Sequence, residues 1–184
     1  MPSNLSGGTS GKSFRVLAFD PGFERLGVAV VEKVGNRETL LFSDCIRTSA
    51  TLSFDARLGE LGAAVEQLLT QWQPDAMALE DIYFAKNAKT AMKVSEVRGM
   101  LSYLATRHLV PVFHYTPLQV KVAVTGYGQS DKKAVAMMVA RLVTLPVLPL
   151  AATNKKIKTP SNTRLDDELD AIAVGLTCLA SVRH

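Results

Sequence analysis

The chain reads as an α/β protein with a mixed five-stranded sheet flanked by helices. Three observations predict this. Three short apolar runs follow one another through tight connections, as in an antiparallel meander. The apolar period then changes from that of a strand to that of a helix. Finally, strand-like and helix-like segments alternate, which is how a strand is added to a sheet by crossover. The expected order is β-β-β-α-β-α-β-α-α-α, with no internal repeat and no domain boundary.

Order is expected from near Phe14, so that residues 1–13, rich in Ser and Gly, form a flexible tail ahead of one domain spanning 14–184. The tail lacks the apolar segment of a signal peptide. Phe14 to Phe19 is the first strand, and Asp20-Pro21-Gly22 is a turn signal at its end. Leu26 to Val31 and Leu40 to Ile46 are the second and third, with Gly35-Asn36 turning between them. Leu58, Leu61, Val65, Leu68 and Leu69 then recur at helical spacing until Pro74. Ala76 to Leu79 is a buried strand ending at Glu80, and Asn87 to Arg107 is a long helix. Val110 to Phe113 is the fifth strand. Helices start near Pro117 and near Asp131, the latter capped by Ser130 and ended by Pro146 and Pro149. A polar, basic connection leads to a last helix over about Arg164 to Val182, whose apolar face holds Leu165, Leu169, Ile172, Ala173, Leu176 and Leu179.

The 184 residues suffice for one domain with a sizeable core. With 47% hydrophobic and 21% charged residues the composition is that of an ordinary globular protein. No apolar run approaches the roughly 20 residues that span a bilayer. Two cysteines, Cys45 and Cys178, do not make a disulfide framework, and a reducing, cytoplasmic setting is expected. The net charge of +4 permits a polyanionic partner. Its distribution says more. Lys155, Lys156, Lys158 and Arg164 crowd one stretch, and Asp166, Asp167, Glu168 and Asp170 another.

Asp20 and Glu80 each end an expected strand, and Asp167 and Asp170 share a face on the first turns of the last helix. Strand ends and a helix start can converge. Carboxylates so gathered repel one another and hold protons unless cations neutralise them. Hard divalent ions with oxygen ligands, Mg²⁺ above all beside a phosphate, answer that need. Two ions about 4 Å apart can activate a water and stabilise the leaving oxygen of a phosphoryl displacement. Each acid also has an ordinary explanation: Asp-Pro-Gly is a turn former, acids in a first helical turn suit the dipole, and Glu80-Asp81 can be a solvated strand end. Helical spacing leaves both Asp166/Asp170 and Asp167/Asp170 open.

Several segments, in order, carry a resemblance: Ala18-Phe19-Asp20-Pro21-Gly22, Asp44-Cys45-Ile46-Arg47-Thr48, Gln73-Pro74-Asp75, Leu79-Glu80-Asp81-Ile82-Tyr83-Phe84-Ala85-Lys86-Asn87, Val97-Arg98-Gly99, Gln119-Val120-Lys121 with Gly126, and Asp167-Glu168-Leu169-Asp170-Ala171-Ile172-Ala173-Val174. From about Phe14 to Val182 the chain resembles the RuvC family of Holliday-junction resolvases. The resemblance implies an RNase-H-like fold, and puts the family's four metal-binding acids on Asp20, Glu80, Asp167 and Asp170. It implies a crossover junction endodeoxyribonuclease that uses two Mg²⁺ ions, with Mn²⁺ as substitute, in recombination and repair. It also implies a homodimer, a preferred cleavage sequence, and work alongside the RuvA–RuvB branch-migration machinery.

The stretch Tyr83-Phe84-Ala85-Lys86-Asn87-Ala88-Lys89 interleaves aromatics with cations, a pattern suited to unpaired bases and phosphates. Phe84 equally suits packing under a helix, and Asn87 an N-cap. In the resembling family an aromatic at the position of Tyr83 lies at the branch point. The same resemblance sets Lys121 and Lys132 beside the scissile phosphate, where developing charge needs a cation. Lys89, Lys133, Lys155, Lys156 and Lys158 are further candidate DNA contacts. The apolar side of the long helix, with Ala91, Met92, Val94 and Val97, is a candidate dimer face or ordinary core.

Ser6 to Ser13 looks like a P-loop but lacks its first Gly and precedes a strand rather than following one. The chain departs from the family pattern at Glu168-Leu169, between the last two acids, and at Thr177-Cys178, where the family often has a His. Its connection from Pro149 to Thr163 is longer and more basic than usual, and is expected to add phosphate contacts. Three other readings are a related nuclease acting on RNA or simple duplex, an actin-like ATP-binding fold, and a junction-binding module without catalysis. The Ile82 to Asn87 segment argues against the first, the single domain against the second, and the four acids against the third.

Overall fold

The computed structural model describes residues 12–81, 88–143 and 166–182. Five strands form one sheet: β1 (Ser13–Asp20), β2 (Arg25–Val34), β3 (Arg37–Arg47), β4 (Ala76–Glu80) and β5 (Val112–Tyr115). Their spatial order is β3-β2-β1-β4-β5. The first three pair antiparallel, and β4 and β5 join them in parallel. This is the expected meander followed by crossovers. The helices are α1 (Phe54–Trp72), α2 (Ala88–Arg107), α3 (Pro117–Thr125), α4 (Lys132–Leu142) and α5 (Asp166–Ser181).

Side chains alternate across a sheet, so each face has its own set. Leu17, Phe19, Leu26, Val28, Val30, Met77 and Leu79 point one way and pack with Leu61, Val65, Val97, Leu101 and Leu104 of α1 and α2. Val16, Ala18, Ala29, Val31, Ala76 and Ala78 point the other way and pack with α3, α4 and α5. Nine consecutive residues of α5, Ala171 to Leu179, are buried. A helix apolar all round in this way is a central element.

Local chemistry sets the helix ends. Ser53 caps α1 by accepting the Ala56 N–H, and Gln73 leaves it in the left-handed region at φ 43°. Thr116 and Gln119 form a reciprocal capping box at α3. Asp131, not Ser130, caps α4 by accepting the Ala134 N–H at 2.8 Å. The Ser130 hydroxyl is engaged with Thr125 Oγ1 at 2.7 Å, so it is taken before the helix begins.

Two strand bounds need correction, and one of two open readings is decided. β1 begins at Ser13, which pairs with Val34, one residue inside the expected tail; residues 1–11 lie outside the described residues. β5 runs over Val112–Tyr115 rather than 110–113. The end of α2 uses the earlier residues: Leu109 turns through a left-handed φ of 58°, and the Val110 N–H returns to the Ala105 carbonyl at 2.9 Å. Val97 is fully buried against α1 and the sheet, so it belongs to the chain's own core and not to a docking face.

Candidate active site

Phe19 and Leu79 are register partners on parallel strands. Asp20 and Glu80 follow them, so these two acids sit side by side at neighbouring strand ends. Alternation puts them on the same face as Ala18 and Ala78, the face that α5 covers. The rest of that row is unusual. Asp20 pairs with Gly27 on β2, and Gly27 with Cys45 on β3. A Cβ on Gly27 would stand 2.0 Å from the Asp167 carbonyl oxygen. The missing side chain is thus what lets the first turn of α5 lie against the sheet between Cys45 and Asp20. Further along, a Cβ on Gly175 would meet Val31 Cγ2 at 2.8 Å and Ala18 Cβ at 3.2 Å, so the whole helix rides close.

The acids feel one another. Asp20 has its pKa pushed up to about 6, first by burial and then by the charges of Asp170 and Asp167. Glu80 is pushed up to about 7, again by burial first and then by Asp20 and Asp170. Burial also raises Asp170, against the opposing pull of Lys132. The chain thus brings Asp20, Glu80, Asp167 and Asp170 into one electrostatic cluster. Asp166 lies at the rim, where its charge raises Asp170 but is not among the causes that raise Asp20. Its side chain is 75% exposed, and Asp167 and Asp170 are the helix acids that raise Asp20.

Two cations lie against the cluster. Lys132 Nζ is 2.9 Å from Asp170 Oδ2 and 3.6 Å from Asp166 Oδ2. Arg25 Nε is 3.3 Å from Asp167 Oδ2. The same Asp167 oxygen accepts from the Cys45 thiol at 3.7 Å. Lys132 is the strongest lowering influence on both Asp20 and Glu80; Lys121, partly buried on α3, is not. Lys133 and Lys89 are exposed at the starts of α4 and α2. Tyr83, Phe84, Lys86, Asn87, Lys155, Lys156 and Lys158 lie outside the described residues.

Glu168 is directed to β3, where its Oε2 accepts from Ser43 Oγ at 3.1 Å. It ties the helix to the sheet rather than adding a fifth acid to the cluster. Thr177 and Cys178 are buried, with Thr177 Oγ1 bonded to the Ala173 carbonyl. Gly126 ends α3 in the left-handed region at φ 75°, a structural use for that motif residue. Behind Glu80, Asp81 pairs with Arg98 of α2 and lies 3.6 Å from His114 of β5, while its N–H donates to the Tyr115 carbonyl. That arrangement fixes the backbone immediately after Glu80. Sequence reasoning missed Arg25, Ser43 and this Asp81 network; only the cross-strand register reveals them.

Among the described residues, no three His, Cys, Asp or Glu side chains close on one point tightly enough to hold an ion as they stand. Arg25 and Lys132 hold Asp167 and Asp170 instead. The donor set nevertheless fits a hard divalent cation: it is all oxygen and half-buried, and Asp20, Glu80 and Asp170 are raised in pKa first by burial and then by neighbouring carboxylates, a cost that such an ion would relieve.

A mixed sheet of this order, with carboxylates at the ends of β1 and β4 joined by two from a covering helix, defines an RNase-H-like nuclease. The family model for crossover junction endodeoxyribonuclease RuvC matches residues 16–178. The chain belongs to that family. It is 38% identical over 161 residues to the crossover junction endodeoxyribonuclease RuvC of Desulforamulus reducens, covering 88% of this chain and 90% of the relative. It is 40% identical over 162 residues to that of Thermomicrobium roseum, with 88% and 90% covered. The structure of T. thermophilus RuvC in complex with a Holliday junction substrate superposes with a TM-score of 0.78 at 30% identity, covering 91% of this chain and 93% of that one.

Proposed function

We propose that this chain is a structure-selective endonuclease that resolves four-way DNA junctions by paired, symmetric phosphodiester hydrolysis during recombination and repair. The observation that carries this reading is the cluster itself. Asp20 and Glu80 stand on adjacent parallel strand ends, and a glycine in the next strand lets Asp167 and Asp170 reach them. In a member of the RuvC family this cluster is the natural seat of hydrolysis.

RuvC nucleases are metal-dependent; for this chain we infer Mg²⁺, two ions per site, with Mn²⁺ as substitute. Bound there, the ions would supply Lewis acidity to a water and to the leaving oxygen. Asp20, Glu80, Asp167 and Asp170 would hold them. Lys132, already beside Asp170, has the reach to turn to the phosphate and stabilise its developing charge. Lys121 would serve the same phosphate from α3. Tyr83 and Phe84 would meet opened bases. Lys86, Asn87, Lys89, Lys133, Lys155, Lys156 and Lys158 would contact the arms.

The unit that acts is one nuclease domain that includes β1 from Ser13, working in the cytoplasm as a homodimer whose two sites face two like strands. Met92 and Tyr103, strongly exposed, and Gly99, with open space around it, lie on one side of α2 and suit that dimer face. The RuvA–RuvB machinery is the expected partner. Among the described residues no helix is long and apolar enough to cross a membrane. Deleting Asn154 to Pro160 tests the basic connection: it should weaken junction binding and flatten its salt dependence.

The deciding experiment mixes the protein with a labelled four-way junction and Mg²⁺ or Mn²⁺, beside Glu80→Gln and linear duplex and RNA controls. Paired symmetric cuts in the junction alone, absent with Glu80→Gln, are expected. Equal cutting of duplex or RNA would overturn the junction reading, and binding without cutting on junctions of randomised sequence would leave a binding module.

A further inference from the structure

Arg25 sits two residues before Gly27 on β2, and therefore on the same face as the acid cluster. Its register partner on β3 is Arg47. Two like charges directly opposite one another are unfavourable unless an anion lies between or beside them. Asp167 is an anion beside Arg25, with its Oδ2 at 3.3 Å from Arg25 Nε. The Asp167 side chain is only 17% exposed while that of Arg25 is 58% exposed. The carboxylate is thus fixed by the fold, and the guanidinium reaches in to it from solvent.

A metal ion at Asp167 would draw on the same carboxylate charge, through an oxygen ligand at about 2.1 Å. A guanidinium offers only N–H donors, cannot join the coordination sphere, and carries a charge of the same sign. The two compete for one carboxylate, and each weakens the other by like-charge repulsion.

We propose that Arg25 is a built-in competitor for the metal: it holds Asp167 in the ion-free protein and weakens that carboxylate's hold on the ion, so that residue 25 tunes the ion concentration the nuclease needs. Displacement is cheap because the guanidinium is more than half in water, where a single ion pair is weak. Lys132 differs from it. It bridges Asp166 and Asp170, and once released from Asp170 it still has an acid beside it. Arg25 is a tuning residue that acts through Asp167 and touches no reacting atom. The inference rests on the reading of Asp167 as a metal ligand.

The test is calorimetric titration of Mn²⁺, and separately Mg²⁺, into the whole protein without DNA. Wild type is compared with Arg25→Gln, Arg25→Ala, Asp167→Asn and the Arg25→Gln/Asp167→Asn double variant, each first shown to melt cooperatively. Arg25→Gln and Arg25→Ala should bind the ion about two- to fivefold more tightly. Asp167→Asn should bind it more weakly, and in that background Arg25→Gln should change nothing, because the contested carboxylate charge is gone. A gain that persists in the Asp167→Asn background would mean a diffuse field effect and overturn the competition. Unchanged affinity in both Arg25 variants, with Asp167→Asn still weakened, would overturn it while leaving the metal site standing. Wild-type affinity in Asp167→Asn would sink the metal-ligand reading, and the proposal with it.

Discussion

The two faces of the sheet are built by opposite rules. Under α1 and α2 the strands present Leu17, Phe19, Val28, Val30, Met77 and Leu79, large side chains that fill the space between sheet and helix. Under α5 they present Ala18, Ala29, Ala78 and, at the critical row, Gly27. The first face is separated from its helices by a layer of hydrocarbon. On the second the helix backbone comes down almost onto the sheet, until a carbonyl of α5 fills the place of a β-carbon. Hydrocarbon gives stability, but it keeps backbones about 10 Å apart. Short carboxylates on different elements meet only where that layer is removed.

The sharpest way to break the contrast is to restore a side chain at the close approach. Gly27→Val would drive the first turn of α5 off the sheet, moving Asp167 away from Asp20. Since a displacement of about 1 Å can cost about 10²-fold in rate, single-turnover junction cleavage should fall at least that far. Wild-type cleavage by a folded Gly27→Val protein would show the approach to be dispensable. Leu61→Ala is the mirror experiment on the other face. It should cost about 2–5 kcal/mol in a urea melt, and cleavage per folded molecule should stay as in wild type.

Next in size is the acid cluster's own instability. Asp20 and Glu80 have folded-state pKa values near 6 and 7, above their ordinary 3.8 and 4.5. Between pH 4 and pH 7 the folded protein therefore holds more protons at these groups than the unfolded chain does. Their contribution to stability is neutral below about pH 4 and becomes a penalty as pH rises through 6 and 7. Glu80→Gln should accordingly stabilise the metal-free protein at pH 8, by about 1–3 kcal/mol, while abolishing cleavage. Thermal melts at pH 4 and pH 8 read this directly: a gain at pH 8 that vanishes at pH 4 is expected, and an equal gain at both would contradict it. The smallest effect belongs to the strap between helix and sheet. Ser43→Ala loses the Glu168 bond and should cost about 0.5–1.5 kcal/mol in the same melts, with little change in cleavage.

Much of this was legible in the chain. Period and turn chemistry foretell the element order and the sheet class, and the strand-end positions of Asp20 and Glu80 follow from apolar runs alone. What escapes is whatever depends on register between distant residues. Nothing near Gly27 announces that residue 167 lies on it. Arg25 reads as one more surface cation until β2 pairs with β3 and α5 descends beside it. Local competition explains the smaller misses: Ser130 and Asp131 are both good caps, and Thr125 claims the hydroxyl of the first. Val110-Pro111-Val112-Phe113 is a fair strand by composition, but the Val110 N–H is spent closing the end of α2.

The row across the sheet also has a consequence in time. All five strands are present in the chain by Tyr115, and the apolar face under α1 and α2 is complete by then. Asp167 and Asp170 ride on α5, the last of the described elements, some fifty residues further along. During synthesis at about 5–20 residues per second, the chain of all five strands and two of the acids precedes the other two acids by seconds. A polypeptide halted in that interval would carry every strand, half of the acids, one uncovered face and no nuclease.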